Sequence, residues 1–241
     1  MFAKTTGALA AAMVTLVLAG CGVDRDLTPV PDAMPPGPGT PLPLIDVNAP
    51  GRTAVQLRDW AEEQSDRLGI PSTALEAYGY AAAVLVQSRP DCGIAWTTIA
   101  GIGSVESKHG GHGGSRLDAD GAVRPPIIGI ALDGSPGVAH VEDTDGGELD
   151  GDRIYDRALG PLQFIPETWR RWGVDANGDG VADPQNIDDA ALTAARYLCA
   201  SGGDLTSQQG WQQALLTYNQ STSYLHTVRY RAAAYSVGRR V

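Results

Sequence analysis

Glu106 stands where a charge is costly. The stretch from Trp96 to Gly110 reads as a helix, closed by Gly110-Gly111. Trp96, Ile99, Gly103 and Glu106 recur at helical spacing along one apolar face. A carboxylate on such a face is expensive as an anion unless it has partners, so burial favours its protonated form near neutral pH. A carboxyl group poised there can give and take back a proton, which is what a general acid/base must do. The competing reading is a solvated glutamate near a helix end. The rest of the chain has to decide between them.

Three other segments carry neutral or oxygen-rich side chains suited to a site. Gln163 follows Gly160-Pro161, a turn that can aim an amide able both to donate and to accept. Tyr218 and Asn219 end a helical stretch, and either could be a core aromatic or a helix cap instead. Asp175, Asn177, Asp179 and Gly180 match positions 1, 3, 5 and 6 of an EF-hand loop, with the Val181 carbonyl at position 7. Position 12 is Asn186 and not the usual glutamate. A set of Asx turns binding nothing is the other reading of that loop. Asp118-Ala-Asp-Gly121 shares the spacing without the rest and reads as a turn. Ser107 could bond the glutamate or a sugar, and His109 reads as structural. There is no G-x-S-x-G elbow, no Cys–His nucleophile and no H-E-x-x-H zinc motif.

In order and approximate spacing, four segments resemble the membrane-bound lytic transglycosylase B family. They are Glu106-Ser107 with Gly110, Gly160-Pro161-Leu162-Gln163-Phe164-Ile165-Pro166 through Thr168-Trp169, the loop from Asp175, and Tyr218-Asn219. The resemblance covers roughly residues 52–230. It implies a lysozyme-like helical domain that cleaves peptidoglycan between N-acetylmuramic acid and N-acetylglucosamine. It makes Glu106 the sole acid/base, with the muramyl C6 hydroxyl as nucleophile and a 1,6-anhydro product. It implies Ser107, Gln163, Tyr218 and Asn219 as substrate-binding residues. In that family the late carboxylate of the metal loop falls where Asp189 lies, so the expected calcium ligands are Asp175, Asn177, Asp179, Val181 and Asp189. Two alternatives remain. One is a hydrolytic muramidase on the same scaffold, with Asp118, Asp120 or another loop acid as second carboxylate. The other is a non-catalytic wall-binding lipoprotein.

These residues need elements to hold them. The composition is that of one folded domain with extensions: 241 residues, of which 43% are hydrophobic. Lys4 followed by an apolar run from Ala8 to Ala19 reads as a signal peptide over residues 1–20. Leu18-Ala19-Gly20-Cys21 resembles a lipobox, so Cys21 is expected to carry a lipid anchor in an exported, envelope-bound protein. The remaining pair, Cys92 and Cys199, is expected to form a disulfide. Eight prolines between Pro29 and Pro50 make residues 21–50, from the lipidated Cys21 on, an extended, semi-rigid linker. The catalytic domain is expected over residues 51–241.

Within it the fold class is α+β, mainly α, with an EF-hand-like loop and a small β-hairpin. Helices are predicted over 53–68, 70–88, the Glu106 stretch, from Pro166, and over 188–200, 207–218 and 221–236. The Gly- and Asp-rich residues 111–158 are expected to form loops and the β-hairpin. A net charge of −10 argues against nucleic acid or an anionic membrane surface as partner. The expected partners are peptidoglycan strands and the membrane that takes the anchor, with the protein a monomer.

Overall fold

The computed structural model describes residues 28–241. The proposed signal peptide and Cys21 lie outside the described residues. The helices are α1 (Arg58–Leu68), α2 (Ser72–Ser88), α3 (Trp96–Ser107), α4 (Pro166–Trp172), α5 (Ile187–Gly202), α6 (Gln208–Tyr218) and α7 (Thr222–Ser236). The strands are β1 (Arg116–Leu117), β2 (Val123–Arg124), β3 (Ile128–Ala131) and β4 (Arg157–Leu159). The mainly helical class is as expected. The predicted helix over 53–68 begins instead as a 3-10 turn, Thr53–Leu57, before α1.

α3 is the central helix. Every residue from Trp96 to Gly103 is buried, because α2 and α7 pack against it from different sides. Two glycines make that approach possible. A Cβ on Gly101 would lie 2.9 Å from the Val228 carbonyl of α7, and one on Gly103 would lie 2.2 Å from the Tyr78 hydroxyl of α2. Each glycine costs the helix about 1 kcal/mol relative to alanine. Close packing of the two neighbours offsets this. The expected disulfide is present, joining Cys92 ahead of α3 to Cys199 in the last turns of α5 with a Cα separation of 5.4 Å.

The last three helices start at side-chain caps. Asn186 accepts from the Asp188 amide, Ser207 from Gly210 and Ser221 from Tyr224. The β region differs from the expected single hairpin. β1 pairs with β2, but β3 pairs with β4, Ile128 opposite Leu159 and Ala131 opposite Arg157. The intervening residues are folded by aspartate side chains capping backbone amides, as Asp143 does for residues 145 to 147.

The proline-rich segment corrects the expectation of a free spacer. It is extended, but from residue 28 it straps the domain. The Trp60 indole donates to the Pro41 carbonyl (3.0 Å), the Trp96 indole to Thr40 (3.1 Å) and the Thr97 hydroxyl to Gly37 (2.8 Å). Pro36 is buried, and Met34, Leu42, Ile45 and Val47 pack on the core. An extended chain has unpaired carbonyls, and buried indole and hydroxyl donors need acceptors. The folded unit therefore starts well before Gly51.

Candidate active site

The end of α3 is built to hold Glu106. The helix stops in a Schellman turn: the His109 amide donates to the Gly103 carbonyl (2.8 Å) and the Lys108 amide to Ser104 (3.2 Å). Lys108 and His109 both sit at left-handed φ, 55° and 60°, positions that normally favour glycine. His109 is buried between two tyrosines, with Nδ1 3.1 Å from the Tyr78 hydroxyl and Nε2 3.0 Å from the Tyr235 hydroxyl. Burial, and then the charge of Arg231, push it down to about 3, so the imidazole is neutral. It clamps the α3 terminus between α2 and α7, in keeping with its structural reading.

Glu106 itself accepts a hydrogen bond from the Tyr224 hydroxyl at 2.6 Å through Oε1. Burial pushes its carboxyl up to about 7, against the lowering effect of that bond. The acidic loop residues considered as a second carboxylate are engaged elsewhere, since both Asp118 and Asp120 pair with Arg124.

The expected substrate-binding residues fare differently. Ser107 has its hydroxyl engaged within the protein. Its hydroxyl is buried, donates to the Pro161 carbonyl (2.6 Å) and accepts from the Gly110 amide (2.7 Å). It ties α3 to the Gly160-Pro161 turn, at the edge of the cavity into which Glu106 opens. Gln163 sits in that turn at φ 51°, its amide nitrogen bonded to the Gly160 carbonyl at 2.9 Å. Its Oε1 accepts no hydrogen bond among the described residues. With Phe164, Thr168, Tyr197 and Tyr218 it lines a cavity of about 180 Å³. Tyr218 donates to the Leu162 carbonyl (2.7 Å) and packs against Phe164 and Tyr197. Burial, and next the nearby Glu106 charge, hold its hydroxyl well above the usual phenol range. Asn219 is exposed at the α6–α7 junction, its side-chain oxygen capping the Ser221 amide at 3.0 Å.

Glu106 opens into a different cavity, of about 650 Å³, lined also by Lys108, His112, Thr227, Arg231 and Arg240. The structure thus sets Tyr218 near Glu106, and leaves Gln163 in the neighbouring cavity. Tyr224 was not identified from the sequence. Its contact with Glu106 spans 118 residues, and nothing local marks it among eight tyrosines.

The acidic loop folds around its own side chains. Asp175 accepts from the amides of Gly178 (2.7 Å) and Gly180 (2.8 Å). The buried Asp189 accepts from Ala176 (2.7 Å), Asn177 (3.2 Å) and Asp183 (2.9 Å). Burial pushes Asp189 up to about 6 despite those bonds. Asn186 caps α5 and donates to the Asp120 carbonyl, so it is spent elsewhere. Among the described residues, the carboxylates that converge within 4.8 Å are Asp143, Asp145 and Asp156, in the β3–β4 connection.

Residues 154–214 match the family described as "Transglycosylase SLT domain". The matched stretch runs from just before β4 into α6. It contains Gln163 and the acidic loop, while Glu106 and Tyr224 lie outside it. No curated protein matches the chain. Among solved structures, the Escherichia coli lytic transglycosylase Slt35 in complex with bulgecin A is similar at 16% identity, over 80% of this chain and 81% of that one, with a TM-score of 0.44. The family match bears out the enzyme class expected from the motifs, a peptidoglycan lytic transglycosylase.

Proposed function

We propose that the protein cleaves the β-1,4 bond between N-acetylmuramic acid and N-acetylglucosamine, leaving 1,6-anhydromuramyl ends, with Glu106 as the only acid/base. The observation that carries this reading is a half-buried carboxyl held at about 7, whose one bonded partner among the described residues is a tyrosine. Glu106 gives its proton to the leaving glycosidic oxygen as the C1–O bond breaks. The resulting carboxylate takes the proton of the muramyl C6 hydroxyl, whose oxygen closes on C1. The acid is restored and no water is consumed. Tyr224, bonded to Oε1, leaves Oε2 to carry the proton. A tethered nucleophile has the advantage of high effective molarity. Glycosidases that use water or a covalent intermediate need a second carboxylate, and pairing with Arg124 makes Asp118 and Asp120 poor candidates for it. Mass spectrometry of digested sacculi tests the reaction. Anhydromuramyl ends are expected, and products that have each gained one water would assign a muramidase instead.

A calcium ion in the acidic loop also belongs to this reading. The donors on offer are hard oxygens from Asp175, Asn177, Asp179, Asp189 and the Val181 carbonyl, the chemistry calcium takes. Asp189, held inward by three loop amides, would replace the missing glutamate at position 12. Such an ion would fix the start of α5. With calcium at about 100 times its dissociation constant, the folded state gains about 2.7 kcal/mol. That raises the melting temperature by roughly 5–10 °C over a chelated sample for a chain of this size. Asp175→Asn is expected to remove most of the difference. A shift that survives this change would place the ion elsewhere, with Asp143, Asp145 and Asp156 the first place to look.

The apolar run ending at Cys21 supports export and lipid anchoring. Among the described residues no helix is long and apolar enough to cross a membrane. The strap bears on this reading, because residues 28–50 lie on the domain and so add little reach to an anchor at Cys21.

A further inference from the structure

The cavity that contains Glu106 is cationic in an acidic protein. Lys108, Arg231 and Arg240 line it, with His112 and Thr227, and Glu106 is its only acidic side chain. None of the three cations pairs with a carboxylate within the described residues, although Arg52, Arg124, Arg157 and Arg229 all do. The chain carries a net charge of −10, so acidic side chains are plentiful, yet Glu106 is the only one at this cavity, which Val241 also borders.

The fold brings the three cations to one place. Tyr224, Thr227, Arg231 and Tyr235 fall three, seven and eleven residues along α7, one face of that helix, turned toward α3. Tyr224 reaches Glu106 and Tyr235 reaches His109, which places the Arg231 position of the helix between them. Arg240 lies over Gly69, where an added Cβ would come within 2.5 Å of its Nε. Lys108 occupies a left-handed position next to Ser107, two residues from the acid, and is one of only two lysines in the chain.

We propose that this cavity is a subsite for the peptide stem of the muramyl residue being cleaved, with Arg231 and Lys108 pairing to stem carboxylates. The inference rests on the glycan-cleaving reading of Glu106. The ring whose C1 reacts at Glu106 carries the stem through its lactyl group, so an acidic peptide necessarily lies near the acid. Unpaired guanidinium and ammonium groups in a partly enclosed cavity suit carboxylate partners. Neutral hydroxyls and acetamides do not need them.

The test measures binding without turnover. Glu106→Gln protein is titrated with soluble stem-bearing glycan oligomers and with the same oligomers after an amidase has removed the peptides. The stem-bearing form is expected to bind about tenfold tighter or more, the size of one charge-assisted hydrogen bond. Adding Arg231→Gln should erase most of that ratio, Arg231→Lys should keep part of it, and high salt should narrow it. The exposed Lys108→Gln gives the same reading if Arg231→Gln does not fold. Equal binding of the two glycans overturns the proposal. So does an equal loss on both, which would assign the cations to the lactyl carboxylate or to packing. Because binding is read in an inactive protein, failure of the wild type to form anhydro ends would count against the reaction and leave this measurement decisive on its own.

Discussion

Glu106→Gln is expected to lower peptidoglycan cleavage by roughly 10²–10⁴-fold, the range for losing a general acid/base, and at the same time to make the protein more stable at neutral pH. The two effects share one cause. Burial holds the Glu106 carboxyl at about 7, against 4.5 for an ordinary glutamate. At pH 6 the unfolded chain has released this proton and the folded chain has kept it. Folding must then take up a proton, and the cost grows as pH rises from about 4.5 to about 7. Above that window both states are ionised and the cost is constant. Below it both are protonated and there is none. Glutamine keeps the acceptor for Tyr224 and never ionises. Its advantage should be on the order of 2 kcal/mol at pH 8, after allowing for the solvent that reaches the cleft, and near zero at pH 4. Urea denaturation at the two pH values measures it. The wild-type kcat/KM should fall above pH 7 as the acid ionises, and the residual activity of the variant should lack that limb. Equal activity of the two proteins would remove Glu106 from the chemistry and favour a wall-binding role.

Much of the frame behind that site is legible in the sequence, for reasons that differ by element. The partial burial of Glu106 follows from helical spacing, because an apolar face has only one side to turn to. Helix starts at Ser207 and Ser221 follow from side chains that cap locally. The disulfide follows from cysteine number. What was not legible depends on contacts across long stretches of chain. Tyr224 becomes the partner of Glu106 only when α7 docks on α3. Ser107 looks available for substrate until the Gly160-Pro161 turn arrives beneath it and takes its hydroxyl. The proline run reads as a linker because its composition cannot form a core by itself. Trp60 and Trp96, which need carbonyl acceptors, bring it down onto the domain. β3 pairs across the whole aspartate-rich connection, so no short turn signal announces its partner. Gln163 is recognisable as a turn residue, but its left-handed backbone, and hence the cavity it faces, is set by the contacts of the turn.

Arg52→Met is expected to destabilise the protein by about 3–5 kcal/mol at neutral pH, the penalty for leaving buried carboxylates without their cation. Arg52, at the end of the strap, grips Asp188 with two bonds, Nε to Oδ2 at 2.7 Å and Nη2 to Oδ1 at 3.1 Å, and also bonds Glu76 of α2. Asp188 is wholly buried and Glu76 nearly so. Burial already raises Asp188 above the ordinary carboxylate range, with Arg52 opposing it. Without Arg52 the Asp188 carboxyl would hold its proton to still higher pH in the folded state than in the unfolded one. The loss should therefore be smaller at pH 4 than at neutral pH, and should grow as pH rises and the unfolded Asp188 ionises fully. Arg58, whose Nε is 3.8 Å from Glu76, can relieve only the Glu76 side. Changing Asp188 to leucine together with Arg52→Met should recover part of the loss, since it removes the buried charge at Asp188 and leaves only Glu76, beside Arg58. Chemical denaturation of the three proteins at pH 4 and pH 8 checks this, and a pH-independent loss would mean that Arg52 acts through packing alone. The effect should also reach the site. Asp188 stands in the first turn of α5 beside Asp189, which folds the acidic loop. Loosening that turn frees the loop, so if the loop holds calcium, Arg52→Met should weaken its binding without touching any proposed ligand.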